Sequence, residues 1–101
     1  MEGAKLIVMS FTKESAVARS VADLSKRLDI PESDVQTLSV STEDFPDMSL
    51  GLPADGEFAA QMIATGWLIR LEANGDIYEY RADKYQIRLK GFDGNNQIIA
   101  G

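Results

Sequence analysis

The dipeptide Asn74-Gly75 constrains this chain more than any other feature. Two residues that accept positive φ, set between two alternating runs, specify a type I′ hairpin turn. The runs are Gly66–Ala73 and Asp76–Ala82. A two-residue turn fixes their register, setting Leu71 opposite Tyr78, Ile69 opposite Tyr80 and Trp67 opposite Ala82. On the other face Arg70 meets Glu79 and Leu68 meets Arg81. A second turn placed at Asp83-Lys84 extends the pattern, bringing Ile87 to Tyr80, Leu89 to Tyr78 and Arg88 to Glu79. One face then reads Trp67, Ile69, Leu71, Tyr78, Tyr80, Tyr85, Ile87 and Leu89. The other carries an Arg70–Glu79–Arg88 ladder of alternating charge, open to water. The sequence therefore predicts a three-stranded antiparallel meander over residues 66–90.

Such a sheet needs a cover for its apolar face. Val17, Val21, Leu24 and Leu28 recur at helical spacing and supply one. The spacing predicts a helix over residues 12–30, with Thr12 as N-cap, Phe11 packed on the first turn and Pro31 as the stop. Residues 35–42 read as a strand with Leu38 and Val40 turned to the core. Residues 43–65, rich in Asp, Pro and Gly, read as a structured loop. The expected fold class is α+β in a single domain: one amphipathic helix packed on an antiparallel sheet. Among residues 1–10, Leu6–Met9 is too short to type by periodicity and leaves three readings, a first strand (the one favoured), a stub of a removed targeting segment or the lead-in to the helix, and Met1–Lys5 is read as partly an expression remnant. Asp93-Gly94-Asn95 and Ile98-Ile99 leave two readings for the last ten residues, an edge strand or a frayed end.

Composition then removes whole classes of chemistry. The chain of 101 residues contains no Cys and no His. That excludes thiol catalysis, disulfides, serine–histidine triads and thiolate or imidazole zinc sites. Ten basic residues against 16 acidic ones give a net charge of −6, which argues against a phosphate-binding surface. Arg70, Arg81 and Arg88 do not make a nucleic-acid platform in this register, because the aromatic rings point to the opposite face. No apolar run approaches the ~18–20 residues of a membrane span. The carboxylates Glu43, Asp44, Asp47, Asp55 and Glu57 lack calcium-loop spacing and read as turn formers and solvated charges. The expectation is a domain without catalytic, cofactor or metal residues.

What remains is the loop. Long ordered loops on rigid scaffolds are where binding residues concentrate. Phe45, Pro46, Asp47, Met48, Leu50, Leu52, Phe58 and Gln61 are the candidate binding residues. Their apolar members either tuck under the loop or stay exposed for a partner.

The run Phe45-Pro46-Asp47-Met48-Ser49-Leu50-Gly51-Leu52-Pro53, followed by Gly56, Gln61 and Gly66-Trp67, resembles a family of small uncharacterised bacterial domains. That family carries a Trp-Pro-Asp-Gly-Ser-Leu-Gly-Cys-Pro motif and a Gly-Tyr pair before an apolar strand. Leu28-Asp29-Ile30-Pro31 and Tyr78-Glu79-Tyr80 match its other features, so the likeness spans about Val17 to Lys90. It implies the same helix-on-sheet fold, often in exported or lipid-anchored proteins, with no established activity. The family's loop Cys is Leu52 here, and its second Cys corresponds to Lys90. The disulfide implied by the family is therefore absent.

A looser likeness is to cystatin-type inhibitors, which wrap a helix on an antiparallel sheet and use a Gln-x-Val-x-Gly hairpin. Here Gln61–Gly66 sets the Gly one place late. The sequence reading is a non-enzymatic domain that binds a protein or cell-surface component through residues 45–66, as a monomer or weak homodimer. The alternatives are a protease inhibitor and a self-associating structural domain.

Overall fold

The computed structural model describes residues 10–101; the expected strand at Leu6–Met9 lies outside them. Helix α1 (Lys13–Leu28) is followed by a short 3-10 turn (Glu32–Asp34) and five strands. These are β1 (Gln36–Phe45), β2 (Ala64–Ala73), β3 (Asp76–Ala82), β4 (Ile87–Phe92) and β5 (Asn95–Ala100). They form one antiparallel sheet in the order β1-β2-β3-β4-β5, so the fold is α+β.

Both ends of α1 are set by local chemistry. Thr12 and Ser15 form a reciprocal capping box, and Asp29 ends the helix in the left-handed conformation. The buried line is Ala16, Ser20 and Leu24, with Val17, Val21 and Leu28 half-buried beside it. The expected stripe is thus displaced toward two small residues. Small side chains let the helix approach the sheet, and the Ser20 hydroxyl is satisfied by the Ala16 carbonyl at 2.8 Å. Against this face lie Ile69, Leu71, Tyr80, Ala82, Ile87 and Leu89, all fully buried.

The Asn74-Gly75 hairpin forms in the predicted register, with Leu71 opposite Tyr78, Ile69 opposite Tyr80 and Trp67 opposite Ala82. Asn74 and Gly75 take φ of 54° and 85°, as a type I′ turn requires. The second turn departs from expectation. Asp83 N–H donates to the Gln86 carbonyl, and the Asp83 carboxylate accepts from the Tyr85 and Gln86 N–H groups. The carboxylate thereby stabilises a wider turn than the two residues expected. Ile87 consequently pairs with Ala82, Leu89 with Tyr80, and Arg88 with Arg81 rather than Glu79. A slip of two residues keeps every side chain on its face, so the core survives. Tyr85 leaves the core face for the turn and is exposed.

Strand β1 runs three residues beyond its expected end. A bulge between Thr37 and Ser39 turns Leu38 out to solvent, whereas Val40 packs on the core as expected. The last residues form a true edge strand through Asp93-Gly94, whose φ values of 54° and 85° repeat those of Asn74-Gly75.

Candidate functional site

Part of the sheet face opposite α1 is covered by the loop of residues 46–63, while Arg70, Ile77 and Lys90 on that face stay exposed. Its first half is built around Asp47, whose Oδ1 accepts from Ser49 N–H, Ser49 Oγ and Gly51 N–H at 2.9, 2.5 and 3.1 Å. The Ser49 hydroxyl and then the Gly51 amide hold this carboxyl below its ordinary value. This is the aspartate of the Pro-Asp motif, and its role is to shape the turn.

Side chains of β3, β4, β5 and the β3–β4 turn then grip the loop's backbone. Gln86 Nε2 donates to the Met48 carbonyl at 2.6 Å, and Arg81 Nη1 to the Leu50 carbonyl at 2.8 Å. Arg88 Nη1 donates to the Leu52 carbonyl at 3.0 Å, and Asn96 Nδ2 to the Pro53 carbonyl at 3.0 Å. Arg88 also binds Glu57 through both Nη1 and Nη2. That two-pronged contact, reinforced by the Ala54 N–H, pulls the Glu57 carboxyl down to about 2.

The two arginines standing side by side across β3 and β4 are kept apart electrostatically by separate carboxylates, Glu79 for Arg81 and Glu57 for Arg88. The expected solvated ladder is therefore corrected. Arg88 is buried, and Arg81 is half-buried under the loop with its guanidinium 5.3 Å from the Phe45 ring centre.

The candidate residues divide accordingly. Phe45 and Leu50 are buried in a small second core with Ala64, flanked by Met48 and Leu68, and Leu52 is buried under the same loop. Asp47 is spent on the turn. Pro46, Phe58 and Gln61 remain open, Phe58 at 98% exposure. Beyond Gln61 the sequence reading missed Met62 and Ile63, which are exposed, and Tyr85, displaced by the wider turn. Ile63 and Tyr85 line a groove of about 490 Å³ with Met48, Trp67, Thr42 and Lys84. The signal for this groove was the apolar pair Met62-Ile63 immediately before β2.

Gln61–Gly66 does not form the tip of a hairpin; it leads out of the loop into β2. Among the described residues, no three acidic side chains gather as a metal site, and no helix is long and apolar enough to cross a membrane. On the helix side, Tyr80 donates its hydroxyl to Asp23 at 2.8 Å, and Asp23 also pairs with Arg27. Burial first, and the Asp23 carboxylate second, push the Tyr80 phenol above its ordinary value.

No curated protein and no solved structure matches the chain. A family model does match, over residues 17–90, from within α1 through most of β4 and including the whole clamped loop. The chain belongs to the family described as Domain of unknown function (DUF8738).

Proposed function

We propose that the domain is a non-enzymatic protein-interaction module that binds through the outer half of the loop and the adjoining groove. The observation that carries this reading is the contrast within one loop. Its first half buries Leu50 and Leu52 beside Phe45 at the end of β1, whereas Phe58, Met62 and Ile63 project outward. The outer half is itself anchored at Glu57, which Arg88 holds, and at the Ala60 carbonyl, which accepts from Met48 N–H, so part of its ordering entropy is already lost before binding. Exposed Phe, Met and Tyr side chains are the types enriched at protein interfaces.

The eight residues of the original candidate set thus separate into a supporting group and a contacting group. Pro46, Phe58 and Gln61 stay as contacts, joined by Met62, Ile63 and Tyr85. The inhibitor and self-association alternatives gain no specific support from the loop geometry.

Photo-crosslinking from position 58, with position 76 at the tip of the Asn74-Gly75 hairpin as control, tests this reading. Capture of a partner at 58 that is abolished by Ile63→Asp supports it. Equal capture at both positions, or capture insensitive to Ile63→Asp, overturns it.

A further inference from the structure

Lys and Arg are missing from residues 28–69, although the segment contains eight acidic residues. Asp47 and Glu57 are used inside the loop, and the remaining six have no ion-pair partner among the described residues. Four of those six, Glu32, Asp34, Glu43 and Asp44, flank or lie within β1.

Strand β1 is also an edge. Among the described residues it pairs with β2 on one side only, and along its ten residues the other side presents backbone donors and acceptors that none of them pairs. At strand rise this template is about 33 Å long. Edges of this length are normally blunted by charged side chains, Pro or bulges. Here Gln36–Thr42 contains no charged residue and no Pro, and the bulge at Thr37/Ser39 leaves Ser39–Phe45 in continuous register. The opposite edge, β5, is shorter and its ladder with β4 is twice interrupted.

We infer that β1 is a docking edge for an extended, Lys- or Arg-bearing segment of another protein, which adds to the sheet as a sixth strand. Main-chain hydrogen bonds supply binding in this mode, and side chains on alternate positions supply selectivity. The carboxylates at both ends of β1, of which Glu43 and Asp44 accept only from the Ser41 and Thr65 hydroxyls, favour basic residues on the incoming strand and raise its encounter rate. The same carboxylates disfavour a second copy of this chain, which would bring Glu32, Asp34, Glu43 and Asp44 against their own counterparts. The edge meets the groove at Thr42 but does not depend on the outer loop.

The test uses isotopically labelled protein and three synthetic decapeptides: alternating Lys and Val, alternating Glu and Val, and the Lys–Val peptide N-methylated at alternate residues. The Lys–Val peptide is expected to slow amide exchange in Ser39–Phe45 and to lose at least about tenfold in affinity when salt is raised from low to high. The Glu–Val and N-methylated peptides should fail to protect these amides. The double variant Glu32→Lys, Glu43→Lys should weaken the Lys–Val peptide by at least about tenfold, while Phe58→Asp leaves it unchanged. Equal binding of the Glu–Val peptide, shifts confined to residues 58–63 and Tyr85, concentration-dependent protection of β1 without peptide, or no saturable shift would each overturn the inference. A loss caused by Phe58→Asp alone would move the site to the loop and leave the loop proposal standing.

Discussion

Arg88 of β4 reaches across the sheet face to bind Glu57 with both terminal guanidinium nitrogens, joining residues 31 positions apart. The same guanidinium holds the Leu52 carbonyl, and its Nε donates to Gln86, which in turn holds the Met48 carbonyl. One buried cation thus organises the loop that folds over this face of the sheet. Its charge is tolerated there because each guanidinium nitrogen, Nε, Nη1 and Nη2, donates to an acceptor.

Replacing Glu57 with Ala leaves that cation buried without its counter-charge. Arg88 is 6% exposed at the side chain and Glu57 27%, so water offsets part of the loss. The expected cost is roughly 2–3 kcal/mol, below the full range for breaking a buried pair. A denaturant titration that finds Glu57→Ala as stable as the parent protein would contradict the clamp.

The pair also sets an acid limit. Glu57 is held at about 2 in the folded protein against an ordinary value of 4.5, and Asp47 is lowered in the same direction. The unfolded chain therefore binds more protons over that interval, and stability falls as pH falls. The contribution is fully present above about 4.5 and is lost as pH descends through about 2. Trp67, on the groove beside the loop, reports the opening by fluorescence. Glu57→Gln should flatten this pH dependence; an unchanged acid transition would assign it elsewhere.

The hairpin at Asn74-Gly75 was legible because two adjacent positive-φ residues between alternating runs permit few other solutions. The turn at Asp83 was not, since its width is set by a carboxylate bonding to Tyr85 and Gln86, and no local pattern distinguishes that from a surface acid. The clamp was hidden for a related reason. Arg81 and Arg88 alternate with apolar residues as solvent-facing charges do, and only the return of the loop over them buries the charge. Leu38 failed through the bulge beside it, which breaks the strand alternation. Phe45, Leu50 and Leu52 are inside because that loop closes, whereas Phe58 sits between two held points, Glu57 on Arg88 and the Ala60 carbonyl on Met48 N–H, with its ring in water.

Gly66 is fixed by close approach. A Cβ built there would lie 2.0 Å from the Ala82 carbonyl oxygen, which is backbone and cannot rotate away. Gly66→Ala must separate β2 from the end of β3, at an expected cost of roughly 2–3 kcal/mol. Thermal unfolding of this variant should show a clear drop in midpoint. Gly75 has open space around it, so Gly75→Ala pays only for the positive φ and should cost about 1 kcal/mol.

Tyr80 couples the sheet to α1. Tyr80→Phe removes the hydrogen bond to Asp23 while keeping the buried ring, and Asp23 retains Arg27, so about 1 kcal/mol should be lost. Because burial and Asp23 raise the phenol above its ordinary 10.0, its contribution is intact below that pH and lost as pH rises beyond it. Alkaline unfolding of Tyr80→Phe should accordingly start from lower stability but fall less steeply than that of the parent. Parallel curves would place the alkaline sensitivity in another group.

The loop's two halves should respond oppositely to truncation. Leu50 is fully buried at a φ of 60°, a conformation that a branched side chain adopts only under constraint. Leu50→Ala opens a cavity in the small second core and should cost about 2–4 kcal/mol. Phe58, almost wholly in water, contributes nothing comparable, and Phe58→Ser should change stability by less than about 0.5 kcal/mol. Chemical denaturation of the two variants side by side separates the support of the loop from its contact surface. A substantial loss in Phe58→Ser would mean that this ring packs on the domain and would remove it from the proposed interface.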